Sequence, residues 1–431
     1  MASFPDRGRS VAALGLSRLG DLAAFGGLVL FAVFLYTSIA IWFPPLAVAR
    51  PALAASALAA GGALLYLWAG GLPARFDGLR GALLLFFVAL GFASIHWSLA
   101  PRVSLDAAGE GFKEALIYLV MIQVLRTPRR LRLVAAAAAL ASLAPSVHSV
   151  QNYLLGRDLL GGTRARWIGV FQDPNHLAMA LVSAIPLALL FAVDGPGLLR
   201  RALFAFAAVA GIAGVVVTQS RGGAVGLGAA VLAFALSRRR AGRGIAVAVC
   251  LGAGLVAFAP SAFWQRTGTL AEYQTDVSAQ GRVHAWKVLY ALATDRPFRG
   301  SGAGAFLQAW PRYAPIEAGQ HAFVTHNVFL QPLAELGLFG FLAFLLLVSA
   351  CLAGALAGRR APVLGATSAA LFAALLGNLV CQLSSGYSPN TFLFFWLGLA
   401  ASADRIARAE LPPEGAKERH GGLLAGQAVA S

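Results

Sequence analysis

The chain has 431 residues, 58% of them hydrophobic and only 12% charged, with a mean hydropathy of +0.72. Soluble domains carry about 25% charged residues, so a soluble globular protein is excluded. The net charge of +16 does not indicate a nucleic-acid partner, because the basic residues are spread among short loops between apolar runs, as in the positive-inside pattern.

In lipid only helices and closed barrels satisfy the backbone. The apolar runs far exceed the roughly 10-residue strands of a barrel. The expected fold is therefore an all-α polytopic membrane protein with about twelve helices. Met1 to Gly20 carries Arg7, Arg9 and Arg18 ahead of a long apolar run without a short cleavable core, so the first span is expected to be a retained helix.

In chain order, helices are expected near Leu22–Phe43, Pro51–Gly71, Leu79–Trp97, Gly111–Leu125 and Leu133–Val150. Others are expected near Leu177–Val193, Ala202–Thr218, Gly222–Leu236 and Gly244–Pro260. The last three fall near Leu336–Ala357, Pro362–Gln382 and Thr391–Ala403. Gly111–Leu125 is short and carries Lys113 and Glu114, which leaves a span and a surface-lying helix both open.

Alternate crossing puts both termini on one side with the basic loops at Arg75/Arg80, Arg126–Arg132, Arg200-Arg201, Arg238–Arg243, Arg359-Arg360 and Arg405/Arg408. That side is expected to be cytoplasmic. The division is a cytoplasmic N-terminus at 1–21, nine helices over 22–260, a large periplasmic loop with short helices at 261–326, a re-entry helix and three spans over 327–403, and a disordered cytoplasmic tail at 404–431. Cys250, Cys351 and Cys381 all lie in apolar spans, which excludes a disulfide framework and a cysteine metal site.

The polar chemistry gathers on the opposite side. Thr325-His326-Asn327 ends the long loop, just before the apolar run Val328–Gly340. At a helix start, with Thr325 or Asn327 as N-cap, the helix dipole favours a neutral imidazole able to act as a base. A plain capping or interfacial histidine fits the same position. His321 reads as solvated.

Arg221, in Ser220-Arg221-Gly222-Gly223 between two spans, either snorkels or meets an anion that the glycines admit to the backbone. Arg282 opens Gly281–Leu292, in which Trp286, Leu289, Tyr290 and Ala293 share a face. That helix lies either in the headgroup layer or packed in the loop. Arg164 and Arg166 precede the turn Asp173-Pro174-Asn175, where Asn175 suits a helix cap. Arg299 precedes Gly300–Gly304, a flexible turn and not a nucleotide site, since no Rossmann strand precedes it. Arginines pair bidentately with phosphate, and no paired acidic motif for a divalent metal stands on that side.

Arg166-x-x-Gly169-x-Phe171-x-x-Pro174-Asn175-x-Leu177-Ala178, Ser220-Arg221-Gly222-Gly223, Gly281-Arg282-x-x-x-Trp286, Pro297-x-x-Gly300-x-Gly302-x-Gly304-x-Phe306 and His326-Asn327-x-x-Leu330-Gln331-x-Leu333-x-Glu335-x-Gly337 occur in that order. The ordered set resembles the bacterial O-antigen ligase and polymerase superfamily, from Arg164 to Gly340. The resemblance implies an inner-membrane glycosyltransferase of the integral-membrane C class with a periplasmic active site. It implies transfer of O-antigen from an undecaprenyl-pyrophosphate-linked glycan donor to a lipid A–core acceptor, with no cofactor, no metal and no nucleic acid. His326 would activate the acceptor. Arg221, Arg282 and Arg166 would bind the pyrophosphate, with Asn327, Asn175 and Trp286 in support.

An O-antigen polymerase using a second lipid-linked glycan is the nearest rival. A protein O-oligosaccharyltransferase is disfavoured by the short tail after Asp404. A transporter or flippase is disfavoured by the scarcity of mid-span charge.

Overall fold

The computed structural model describes residues 11–43, 45, 48, 50–71, 73–237, 261, 277–314, 322–385 and 390–410. The expected span Gly244–Pro260, His321 and the tail beyond Glu410 lie outside the described residues. The protein is an all-α polytopic membrane protein. Eight helical stretches among the described residues are long and apolar enough to cross a bilayer, judged by length and composition.

The helices are α1 (Val11–Thr37), α2 (Pro51–Trp68), α3 (Gly78–Ala93), α4 (Pro101–Val124), α5 (Pro128–Ala141) and α6 (Leu143–Leu154). A small hairpin follows, β1 (Leu159–Leu160) antiparallel to β2 (Arg164–Ala165). Then come α7 (Pro174–Asp194), α8 (Leu198–Val217), α9 (Arg221–Leu236), α10 (Val277–Asp295), α11 (Leu330–Gly358), α12 (Gly365–Gln382) and α13 (Thr391–Glu410).

The first helix starts at Val11, well ahead of the Leu22 expected, because Val11 to Leu16 is itself apolar and Asp21 is partnered by Arg130 across the bundle. It packs on α2 at backbone distance. A Cβ on Gly27 would stand 2.5 Å from the Ala59 nitrogen, the small-residue contact by which helices associate in lipid.

The core lies around α7 and α12, whose most apolar stretches are 72% and 78% buried. The fourth helix is longer than expected, and it is not a surface helix. It packs against α3 and α13. Glu114 is buried and accepts hydrogen bonds from the Asn390 N–H and the Thr391 hydroxyl, both at 3.0 Å. A carboxylate that caps the start of α13 explains a charge that composition alone could not place.

From Glu114 a buried polar chain runs inward. The Asn390 amide donates to Gln382 at 2.7 Å, Gln382 to Asn378 at 2.5 Å, and Asn378 to the Ser183 hydroxyl at 2.8 Å. It joins α4, α13, α12 and α7 where side-chain polar groups would otherwise face lipid.

The long loop is folded. Ala285, Val288, Leu289 and Leu292 of α10 pack with Phe306, Ala309, Trp310 and Ala334 as a second, smaller core. The expected apolar face is thereby split: Leu289 is buried, whereas Trp286 and Tyr290 point outward beside Val283.

This core sits on the first two turns of α11, which starts at Leu330, two residues later than expected, and breaks at Gly337 (φ 67°, ψ −164°). The break removes the helical bond from Leu338 N–H to the Ala334 carbonyl. Leu338 N–H donates instead to the Pro297 carbonyl at 2.8 Å. The freed carbonyls of Ala334 and Glu335 accept from Ser301 and Gly302 at 2.9 and 2.8 Å. The glycine run 300–304 is thus a turn, as expected, but a clamped one.

Only glycine occupies this backbone region readily, and a Cβ on Gly337 would stand 2.7 Å from the Arg299 nitrogen. Gly337→Ala is expected to lower stability by about 1–3 kcal/mol and to loosen loop 297–304. Faster protease cleavage near Arg299, with α1–α2 unaffected, is the expected readout.

Candidate active site

Four chain segments meet at one end of the bundle. The first is the hairpin and the start of α7. Asp173 caps α7 by accepting from the Asn175 N–H at 2.7 Å. Asn175, expected as a cap, is instead a hub. Its side-chain oxygen accepts from the Arg164 guanidinium and the Ser220 hydroxyl, both at 2.9 Å. Arg164 is buried and also donates to the Thr218 carbonyl at 3.1 Å. This ties the hairpin to the second segment, the tight turn into α9.

That turn is fixed from within. Gln219 adopts a left-handed backbone (φ 50°), and Ser220 caps α9 through the Gly223 N–H at 3.1 Å. Arg221 is therefore the first residue of α9, at the positive end of its dipole. Gly222 lies directly against the Ser384 hydroxyl, which leaves no room for a Cβ. So the backbone beside Arg221 abuts the third segment, the C-terminal turn of α12 at Gln382–Ser385.

The fourth segment, Thr325–Val328, closes over that same turn. Val328 N–H donates to the Gln382 carbonyl at 3.0 Å, and the Asn327 amide to the Leu383 carbonyl at 3.1 Å. The Asn327 side-chain oxygen accepts from the Phe329 and Leu330 N–H groups at 2.9 and 3.1 Å. Asn327, not His326, therefore caps α11.

Thr325 is held from behind by Gln331, which accepts its hydroxyl at 2.6 Å and in turn donates to buried Glu335 at 2.5 Å. Trp286 of α10 donates to the Thr325 carbonyl at 3.0 Å, which brings the Arg282 helix to the same place.

His326, gripped on both sides, is half-buried and left-handed (φ 50°). Few non-glycine residues adopt that region, and those that do mark functional sites often enough to be informative. Burial holds its imidazole below the ordinary pKa range. The positive charge of Arg282 lowers it further, the nearby Asp173 carboxylate opposes this, and His176 adds to the lowering. His326, Arg282, Asp173 and His176 thus share one electrostatic neighbourhood. The starts of α7, α9 and α11 frame it, and three helix N-termini favour an anion.

Of the residues singled out by sequence, the structure brings His326, Asn327, Trp286, Arg282, Arg221 and Asn175 together. Arg166 stands apart: half-buried, it pairs with Asp158 of its own hairpin at 2.7 Å, whereas Arg164 anchors the buried hub. Sequence reasoning gave no site role to Ser384, His176 or Asp173, nor to Gln331 and Glu335, although the last two stand in the ordered motif set. The four-residue spacing of Gln331 and Glu335 was a signal for them. Ser384 offered none. Among the described residues no three His, Cys, Asp or Glu side chains come together as metal ligands.

Residues 206–345 match a protein-family model described as O-antigen ligase. The match includes Arg221, Arg282 and His326 and leaves Arg166 and Asn175 outside it. No curated protein matches the chain.

Proposed function

We propose, from this match over residues 206–345 together with the geometry of the site, that the protein is a member of the O-antigen ligase and polymerase superfamily and an O-antigen ligase of the bacterial inner membrane. It moves O-antigen polysaccharide from undecaprenyl pyrophosphate to lipid A–core at a site facing the periplasm, with both termini in the cytoplasm. The observation that carries this reading is a half-buried, uncapping His326 beside Arg282, over a turn shared with Arg221.

In the reaction, an acceptor hydroxyl oxygen attacks the anomeric carbon from the face opposite the pyrophosphate. The new C–O bond forms as the bond to the pyrophosphate oxygen breaks, so the anomeric centre inverts. A sugar hydroxyl is too weak an acid for imidazole to deprotonate beforehand. His326 takes the proton as the leaving bond breaks. The charge that builds on the pyrophosphate meets Arg221, Arg282 and the N-terminal dipole of α9. Arginines in this role stand where other transferases use a divalent cation, so transfer is expected to persist in EDTA. Arg166, paired with Asp158 of its own hairpin, stands outside this set.

Arg221→Gln is expected to cut kcat/KM about 100-fold, with Arg221→Lys recovering part of the loss. Transfer assayed with purified donor and acceptor in proteoliposomes gives the ratio.

The pH dependence has a definite sign. The neutral imidazole is the working form, and its pKa lies below the ordinary value of about 6.5. Activity should therefore be flat at neutral pH and fall only as pH drops through that lowered value. Arg282→Gln removes one cause of the lowering, so the acid limb of the residual activity should move to higher pH. An unmoved limb would separate Arg282 from His326.

The deciding experiment reconstitutes the protein with undecaprenyl-pyrophosphate glycan and lipid A–core. Glycosylated lipid A–core is the expected product. Lengthened lipid-linked glycan with unmodified lipid A–core would make it a polymerase.

A further inference from the structure

At the end of the bundle remote from His326, a cavity of about 1100 Å³ opens among α1, α5, α7 and α8. The 21 residues of α7 separate it from the site by about 30 Å, the thickness of the hydrocarbon core. Its mouth is formed by the ends of helices: Arg129 and Arg132 in the first turns of α5, Asp194 at the end of α7 and Arg200 at the start of α8. Its walls are apolar, with Phe25, Leu140, Leu190 and Phe204 among them.

The mouth and the walls demand different things of an occupant. Arg132 is fixed by the protein, donating from Nε to the Thr367 hydroxyl at 3.0 Å and from Nη2 to the Val363 carbonyl at 2.5 Å. Arg129 and Arg200 are exposed and make no ion pair among the described residues. Asp194 is the one carboxylate among the described lining residues, so the mouth is net positive.

Below it, α5 runs from Arg129 to Leu140 over about 16 Å, half the hydrocarbon thickness. A soluble anion would leave this wall unused, and a neutral lipid would leave the arginines unanswered. An amphiphile with an anionic phosphate and acyl chains satisfies both. Basic pockets between membrane helices take such lipids.

We propose that this cavity is a binding site for an anionic phospholipid, its phosphate between Arg129, Arg132 and Arg200 and an acyl chain along α5 and α8. The site lies in the leaflet opposite His326 and is separate from the donor and acceptor sites. A bound lipid there fills the gap between α5 and α8 and braces α7, the helix whose far end carries Asn175 and His176.

The test uses the full chain, delipidated in detergent and offered phosphatidylglycerol or phosphatidylcholine. Retained lipid is counted by native mass spectrometry, and thermal unfolding is followed in parallel. Phosphatidylglycerol is expected to be retained and to raise the unfolding midpoint, with phosphatidylcholine doing neither. Arg129→Gln with Arg200→Gln should weaken retention about tenfold.

Ala137→Trp, which fills the wall and leaves every arginine in place, should weaken it as well. Arg360→Gln, an exposed arginine outside the cavity, should not. Equal retention of both lipids, or native retention in both the charge and the wall variants, overturns the proposal. Displacement of the lipid by millimolar inorganic phosphate overturns it too, since that would describe a free-anion site.

Discussion

His326→Ala is expected to lower glycosyl transfer by about 10²- to 10⁴-fold, the usual contribution of a positioned general base, while leaving the fold intact. The second half of that expectation comes from the local geometry. The start of α11 is capped by Asn327, and the loop is pinned by Thr325, Val328 and Trp286. Among the described residues the loop's hydrogen bonds do not use the imidazole, so removing it costs the scaffold little.

The measurement is transfer from a lipid-linked donor in proteoliposomes, paired with thermal unfolding of the same sample. A loss of rate at unchanged unfolding midpoint assigns the effect to chemistry. A rate within tenfold of native would remove His326 as the base. Asn327→Ala supplies the contrast: it strips two N–H groups of their acceptor and the Leu383 carbonyl of its donor, so it should lower the unfolding midpoint and the rate together.

Arg80→Leu should destabilise the protein by about 3–5 kcal/mol, the cost of stripping the partner from a buried charge. Arg80 sits at the end of the bundle away from His326 and holds two carboxylates at once, Asp77 and Asp404, each at 2.9 Å. Asp77 also accepts from the Tyr118 hydroxyl at 2.6 Å, and Asp404 from Arg408 at 3.0 Å. One guanidinium thereby fastens α3, α4 and α13, and the wall of α11 beside it is Gly354, where a Cβ would stand 2.8 Å from the Asp404 carboxyl carbon.

Removing the arginine leaves buried Asp77 with the neutral Tyr118 hydroxyl and buried Asp404 with the largely exposed Arg408, so the burial of two negative charges is no longer offset. The triple change Arg80→Leu, Asp77→Asn, Asp404→Asn should then recover most of the loss, because charge and counter-charge leave together. Unfolding in mixed micelles by rising SDS measures both. A triple variant no better than the single one would mean that Arg80 acts by packing its stem, and not by charge.

Much of the fold could be read from the sequence because lipid demands long apolar helices, and Pro51–Gly71, Leu177–Val193 and Pro362–Gln382 meet that demand within a few residues. The misplaced elements are those that obey a different demand. Val11 to Asp21 is helical because Arg130, far along the chain, answers Asp21. Pro101–Val124 carries the buried Glu114, which only α13 explains.

The candidate site divides in the same way. His326, Arg221 and Arg282 stand out because each falls in the ordered motif set, beside an apolar run or a glycine. The residues that hold them, Ser384, Gln331 and Arg164, are ordinary in composition and gain meaning only from what they touch. The sequence marks Trp286 by an aromatic face, but its indole N–H on the Thr325 carbonyl is what ties it to the site.

The buried chain from Glu114 through Asn390, Gln382 and Asn378 to Ser183 bears on how the protein is made in the cell. Its donors and acceptors come from an early helix, α4, a middle one, α7, and the last two, α12 and α13. During synthesis the early helices enter the bilayer long before their partners exist, so Glu114 waits in or near lipid at a cost of about 2.5–3.5 kcal/mol if it is charged at mid-depth. The wait ends only when α12 and α13 arrive. A chain truncated after α11 would keep that polar edge open to lipid indefinitely. It should be recognised and degraded by membrane proteases, although every helix it contains is inserted correctly.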